Sequence, residues 1–224
     1  MTIAIAARCV ETGMFGIAIS SSSPAVAARC AHARAGVGVV ATQNITDPRL
    51  GPAGLDLMAK GVGADEAIAS LCRTAPHIEY RQLIAVDGQG RTAAYSGRHT
   101  LGVHASAQAP DVVAAGNLLR GAEIPAAMLA AFQRASGHLG DRLLAAMSAA
   151  LAAGGEAGPV HSAGMLLVRE VPWPVADLRV DWSDGDPVAD LHRVWAIYQP
   201  QLEDYVTRAL DPTAAPSFGV PGDR

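Results

Sequence analysis

The residue in this chain best placed to do chemistry stands second. Thr2 follows Met1, and a small residue at that position is what methionine aminopeptidases favour when they remove an initiator methionine. Removal would leave a threonine carrying both a hydroxyl and a free α-amine. A hydroxyl is a weak nucleophile until a base lies beside it, and a neutral α-amine can be that base. With an unperturbed pKa of about 7.7–8.0, such an amine is partly neutral near pH 7 without special tuning. The chemistry expected of such a residue is nucleophilic attack by Thr2 Oγ with its own α-amine as base.

A nucleophile of this kind needs a strand to hold it still. The apolar runs Ile3–Ala7 and Phe15–Ser20 flank the polar turn Glu11-Thr12-Gly13, which predicts a buried hairpin rather than helices. The stretch Ala25–Arg34 reads as either a short strand or a helical turn. Ala35–Gln43 is β-rich, but Gly36 and Gly38 lack the spacing of a dinucleotide-binding loop. Helical spacing predicts helices over Pro52–Lys60 and Ala64–Thr74. Gln82–Val86 and Thr92–Ser96 around Asp87-Gly88-Gln89-Gly90 predict a second hairpin. Gly97–Ala109 reads as loop, and Val112–Ala115 as a short strand running into Gly116-Asn117.

Two alanine- and leucine-rich helices, Glu123–Arg134 and Leu139–Ala153, come next, followed by strands at Ser162–Arg169 and Leu178–Trp182. A last helix is expected from Asp190 to Ala209, interrupted at Pro200. Hairpins and helix pairs alternate in blocks, unlike the one-for-one order of a doubly wound sheet. The pattern predicts an α+β fold of two stacked antiparallel sheets with helices on the outer faces. Residues 1–205 are expected to form one domain, with 206–224 a proline- and glycine-rich tail.

Composition narrows the function classes. Half of the 224 residues are apolar, 17% are charged and the net charge is −4, so the chain reads as globular with a well-filled core. It has no basic run, which argues against nucleic-acid partners. Leu143–Ala153 is too short for a membrane span, and no secretory signal pattern opens the chain. The expectation is a soluble, cytoplasmic protein with no membrane partner. Cys9, Cys30 and Cys72 lie far apart and fit neither a disulfide framework nor a zinc site. His99 and His104, with Asp111, are the nearest approach to a metal set, and they stand in an expected loop.

A family resemblance enters through a series of motifs in order. They are Thr2-Ile3-Ala4-Ile5 with Ala7-Arg8, Glu11-Thr12-Gly13, Gly16–Ser21 and Ala33–Gln43. Arg81-Gln82, Asp87 with Gly90, Gly116-Asn117, Arg142–Ala146, Ala153-Gly154-Gly155, Ser162-Ala163, Leu178–Asp181, Pro187-Val188 and Leu191 follow. Over about residues 2–198 the chain resembles the DUF1028 family, which is grouped with the N-terminal-nucleophile (Ntn) hydrolases. The resemblance implies a four-layer αββα sandwich. It departs from the family pattern where Ala4 stands for serine, Glu156 for aspartate and His161 for glutamine.

The resemblance gives the candidate residues their roles. Thr2 is the expected nucleophile, Ser21 the hydroxyl ending the second strand beside it, and Arg34, with Arg29 a lesser choice, the cation keeping the α-amine neutral. Thr42, Gln43 and Asn117 are candidate donors to a developing oxyanion, with Gly116 allowing close approach to a ligand. Arg81 and Gln82 are expected to read a substrate carboxylate, Ser162 to orient the nucleophile and Asp181 to pair with an arginine. The expected substrate is a small linear or cyclic amide bearing a carboxylate. No metal or organic cofactor is expected, and the chain is expected to form a homodimer. The alternatives are a non-catalytic small-molecule-binding protein on the same fold and a histidine-based metal hydrolase.

Overall fold

The computed structural model describes residues 1–217. The chain runs through β1 (Thr2–Arg8), β2 (Phe15–Ser21), the one-turn helix α1 (Ala27–Cys30), β3 (Ala31–Arg34) and β4 (Gly38–Asn44). Helices α2 (Leu50–Ala59) and α3 (Ala64–Thr74) lead to β5 (Arg81–Asp87), β6 (Thr92–Ser96), β7 (Ala105–Ala109) and β8 (Val112–Asn117). Next come α4 (Ile124–Arg134), α5 (Leu139–Ala152), β9 (Ser162–Val168), β10 (Ala176–Val180), α6 (Pro187–Tyr198) and α7 (Leu202–Leu210). Six strands form one sheet in the order β10-β9-β2-β1-β8-β7, and four form the other in the order β3-β4-β5-β6.

Side-chain alternation along the strands builds three apolar layers. On β1, Ile3, Ile5 and Ala7 pack with α4, α5 and α6, whereas Ala4 and Ala6 turn towards the second sheet. The inter-sheet layer adds Ile17, Ile19, Val39, Ala41, Ile84, Val86, Val113 and Ala115. Val40, Leu83 and Ala85 face the other way, onto Leu55, Met58, Ile68 and Leu71 of α2 and α3. The result is a four-layer αββα sandwich. Small side chains let the layers approach closely: a Cβ at Gly16 would stand 2.6 Å from Leu167 and 2.7 Å from Leu143.

Three segments differ from expectation for physical reasons. Ala105–Ala109 forms an edge strand, β7, instead of a loop. Its alanines alternate with Ser106 and Gln108, but side chains this small and half-exposed carry too little apolar contrast to announce a strand. Residues 25–34 hold both of the conformations weighed, a single helical turn and then a strand. Pro200 falls in a one-turn 3₁₀ segment (Gln199–Gln201), after which α7 buries Leu202 and Val206. Residues 218–224 of the expected tail lie outside the described residues. No helix among the described residues is long and apolar enough to cross a membrane.

Candidate active site

Strand register collects polar residues at one end of the inter-sheet layer. Thr2 pairs with Ser21 on one side and Asn117 on the other, and Ser21 pairs with Ser162. In the opposing sheet Gln43 pairs with Gln82, and Gln82 with Ser96. Parity sets their direction. Thr2 is two residues before Ala4, Ser21 two after Ile19, Asn117 two after Ala115, Gln43 two after Ala41 and Gln82 two before Ile84. Each therefore continues a row of inward-facing apolar residues.

Thr2 is 5% exposed. Its Oγ1 donates to the Met1 carbonyl oxygen at 2.6 Å and lies 3.4 Å from Ser21 Oγ. Ser21 Oγ also donates to the Met1 carbonyl and lies 2.9 Å from Ser23 Oγ. Arg29 Nη2 donates to that Ser23 hydroxyl at 2.7 Å. A cation thus reaches Thr2 through two serine hydroxyls, and it belongs to Arg29. Ser162 supports this loop from below, donating to the Ser23 carbonyl at 2.6 Å and accepting from the Val26 amide at 3.2 Å.

Across the layer lies a buried amide cluster. Gln82 Nε2 donates to Ser96 Oγ and to the Gly116 carbonyl, each at 3.0 Å, which fixes the orientation of its amide. Gln82 Oε1 then accepts from Gln43 Nε2 at 2.8 Å and from Asn117 Nδ2 at 3.1 Å. Gln43 Nε2 also donates to the Ala115 carbonyl at 3.4 Å, and Gln43 Oε1 and Asn117 Oδ1 are left buried without a donor. Buried polar atoms are almost always partnered, so such orphans call for a ligand or solvent.

Glu156 is the member of the site that sequence reasoning missed. It is 3% exposed, accepts from the Ser22 amide through Oε2 at 3.3 Å, and has no partner on Oε1. Burial pushes its carboxyl up to about 8, against the opposing pull of the Met1 ammonium and the Ser22 hydrogen bond. A turn delivers it. Leu118, directly after Asn117, holds a positive φ of 51°, a conformation that costs a branched residue about 1–3 kcal/mol. The turn lets Leu119 bridge to Glu156, while the Ala157 amide donates to the Leu118 carbonyl at 2.8 Å. The signal available was a lone acid after Gly154-Gly155, in a stretch otherwise without charge.

The other expected residues make contacts of their own. Arg34 pairs with Gly38 at the far end of the strands, and its guanidinium binds Asp56 at 2.8 Å. Thr42 has the opposite parity from Gln43, and its hydroxyl donates to the Asp47 carbonyl at 3.2 Å. Gly116 makes room for a side chain, not a ligand: a Cβ there would stand 2.6 Å from Leu119. Arg81 donates to the Ile45 carbonyl. Asp181 pairs with Arg179 at 3.3 Å, its carbonyl accepting from the Ala25 amide.

The metal set does not assemble. His99 lies against Tyr80 with the rings tilted by 32°, His104 bonds the Gly102 carbonyl and Asp111 pairs with Arg8. No group of three His, Cys, Asp or Glu residues suited to a metal occurs among the described residues. Cys30 lies near the amino terminus, but burial raises its thiol pKa, the opposite of what a nucleophilic thiolate needs. Met1, half-buried, covers the site. A cavity of about 610 Å³ lies at the other end, lined by Arg34, Val168, Val171, Pro172 and Trp173.

A family model described as "Family of unknown function (DUF1028)" matches residues 2–191. The chain belongs to the DUF1028 family. The crystal structure of a DUF1028 protein, SPO2555 from Silicibacter pomeroyi, superposes with a TM-score of 0.81 at 28% identity, over 89% of this chain and 88% of that one. Anbu, the ancestral β-subunit, from Yersinia bercovieri aligns with a TM-score of 0.38 at 10% identity, over 91% of this chain and 97% of that one. Anbu from Hyphomicrobium sp. strain MC1 gives 0.39 at 11% identity, over 92% and 98%. Those two likenesses are too remote to bear on chemistry here. No curated protein matches the chain. Ala4 is fully buried one pleat inward from Thr2 and packs in the inter-sheet layer.

Proposed function

We propose that this DUF1028 protein is an Ntn-type amidohydrolase that cleaves C–N bonds of small linear or cyclic amides with Thr2 as nucleophile. Loss of Met1 frees the Thr2 α-amine. That amine takes the proton from Oγ1 as Oγ1 bonds to the substrate carbonyl carbon, giving a tetrahedral oxyanion. The oxyanion collapses, the C–N bond breaks, and the α-ammonium returns the proton to the departing nitrogen. Water, deprotonated by the same amine, then attacks the Thr2 ester and releases the acid.

The observation that carries this reading is the Met1 carbonyl oxygen, held by the Thr2 and Ser21 hydroxyls together. An acyl carbonyl in that place lies against the nucleophile and already has a donor. Ser21 is the donor nearest the nucleophile for the developing oxyanion, while the Thr42 hydroxyl donates to the Asp47 carbonyl and the Gln43 and Asn117 amides each donate to Gln82 Oε1. One such donor is worth about 3–4 kcal/mol in the transition state. Arg29 is the cation linked to the nucleophile, through the Ser23 and Ser21 hydroxyls. Arg29 is also the cation offered to a substrate carboxylate.

Intact-mass spectrometry tests the first requirement: the active protein must lack Met1. With that terminus confirmed, a panel of small amides, lactams and ureido acids should contain a substrate. Thr2→Ser should retain measurable turnover, and Thr2→Ala should lose about a thousandfold or more. Equal activity of the alanine variant, or full activity with Met1 retained, would assign the chemistry to another group.

A further inference from the structure

Met1 traces the outline of what this site holds. Its carbonyl oxygen sits on the Thr2 and Ser21 hydroxyls, where the acyl carbonyl of a Thr2 ester must lie. Its side chain rests on the backbone of residue 158, where a Cβ would stand 2.8 Å from Met1 Cε and 3.4 Å from Sδ. Glu156 is brought to the same place: its Oε2 accepts from the Ser22 amide, next to the Ser21 hydroxyl that holds the Met1 carbonyl, and it stands two residues before Gly158, against which the Met1 side chain lies. Glu156 is otherwise poorly served: it is 3% exposed, with Oε1 unpartnered and Oε2 holding one long bond to the Ser22 amide at 3.3 Å. Departure of Met1 takes its ammonium away and leaves the Thr2 α-amine, which the chemistry occupies with the Oγ1 proton, so the buried, unpartnered Glu156 Oε1 stays open to a ligand cation.

We propose that Glu156 is the counter-ion for an ammonium group on the carbon next to the scissile carbonyl, which makes the substrate class the aminoacyl amides, small amides or dipeptides with a free α-amine. The acyl side chain of such a substrate lies over Gly158, where Met1 lies now. This rests on the reading that an acyl carbonyl binds against Thr2. N-acylated or deaminated analogues put a neutral group against the carboxylate and forgo a charge-assisted hydrogen bond. The orphaned acceptors Gln43 Oε1 and Asn117 Oδ1 point to the same chemistry, because they too await donors rather than anions.

The test is a binding measurement that needs no turnover. Thr2→Ala protein, shown by intact mass to lack Met1, is titrated calorimetrically with methioninamide, N-acetylmethioninamide and 4-(methylthio)butanamide. Methioninamide should bind about tenfold more tightly than the other two. Glu156→Gln should abolish that gap, and Gly158→Val should weaken methioninamide while sparing glycinamide. Equal binding of the three ligands, or a gap that survives Glu156→Gln, overturns the proposal. So does a Glu156→Gln effect of the same size on all three, which would make Glu156 the partner of the protein's own terminus. Selective binding by the variant alongside an inert Thr2 enzyme would sink the hydrolase reading alone. Turnover of neutral amides without preference would sink the ammonium subsite alone.

Discussion

Asp87 and Glu156 are buried alike and live opposite lives. Asp87, at the end of β5 away from Thr2, is 2% exposed and Glu156 is 3% exposed. Asp87 accepts from the Ala64, Gln89 and Arg91 amides and from Arg91 Nε, at 2.7–3.1 Å. Burial pushes its carboxyl up, but those donors outweigh burial and hold it below the ordinary 3.8. Glu156 has one long bond, so burial wins. The neighbourhoods match their carboxylates. Near Asp87, Arg8 pairs with Asp111 at 2.7 Å and donates to the Gly88 carbonyl. Around Thr2, three buried oxygens lack donors. The satisfied end holds the sandwich together, and the unsatisfied end is where a ligand is missing.

Substitutions can break that comparison. Asp87→Ala strips four donors of their acceptor and should destabilise the fold by about 3 kcal/mol in denaturant melts, with kcat unchanged where protein remains folded. Gln82→Leu disconnects Gln43, Asn117, Ser96 and the Gly116 carbonyl at once, and should cost about 2 kcal/mol together with a loss of turnover. A Gln82→Leu protein with intact activity would show that the amide cluster is scaffold only.

The two carboxylates should also give opposite pH responses. Asp87, depressed when folded, contributes stability that is present above pH 3.8 and lost as pH falls through its folded value. Glu156, raised when folded, keeps a proton that the unfolded chain sheds. Its contribution is therefore fully present below pH 4.5 and declines as pH rises to about 8. Thermal melts should show the advantage of Glu156→Gln over the parent growing across that window and flat beyond it. An advantage that instead grew towards acid would contradict the assignment. The smallest effect belongs to Arg34→Ala: an exposed pair with Asp56 is worth about 0–1 kcal/mol, and activity should not change.

How much of this was legible in the sequence depends on what kind of fact is asked for. Alternation and turn chemistry announce the hairpins, because burial of one strand face leaves a period of two. Thr2, Ser21, Asn117, Gln43 and Gln82 were each visible as polar residues at strand ends. Their meeting depends on the pairing register and on which end of one sheet lies over which end of the other, and no local pattern encodes either. Arg34 shows the cost. It is close in sequence to Gln43, yet the β3–β4 hairpin puts it opposite Gly38, and five residues at about 3.4 Å each separate that row from Gln43. Arg29 reaches the site because a single helical turn carries it back over Ser23. Glu156 gave no periodic signal, since it follows the irregular Gly154-Gly155 turn and is held by a single bridge to Leu119.

The most direct test of Thr2 as the attacking group is chemical trapping. Protein with Met1 removed is mixed with the 4-nitrophenyl ester of a small amino acid, quenched in acid within the burst, digested and read by peptide mass spectrometry. An ester-linked acyl group on the Thr2 peptide, labile to hydroxylamine and absent from Thr2→Ala, is the result this account predicts. Rapid turnover with no acyl group on Thr2, or with the label on Ser21 or Cys30, would contradict it.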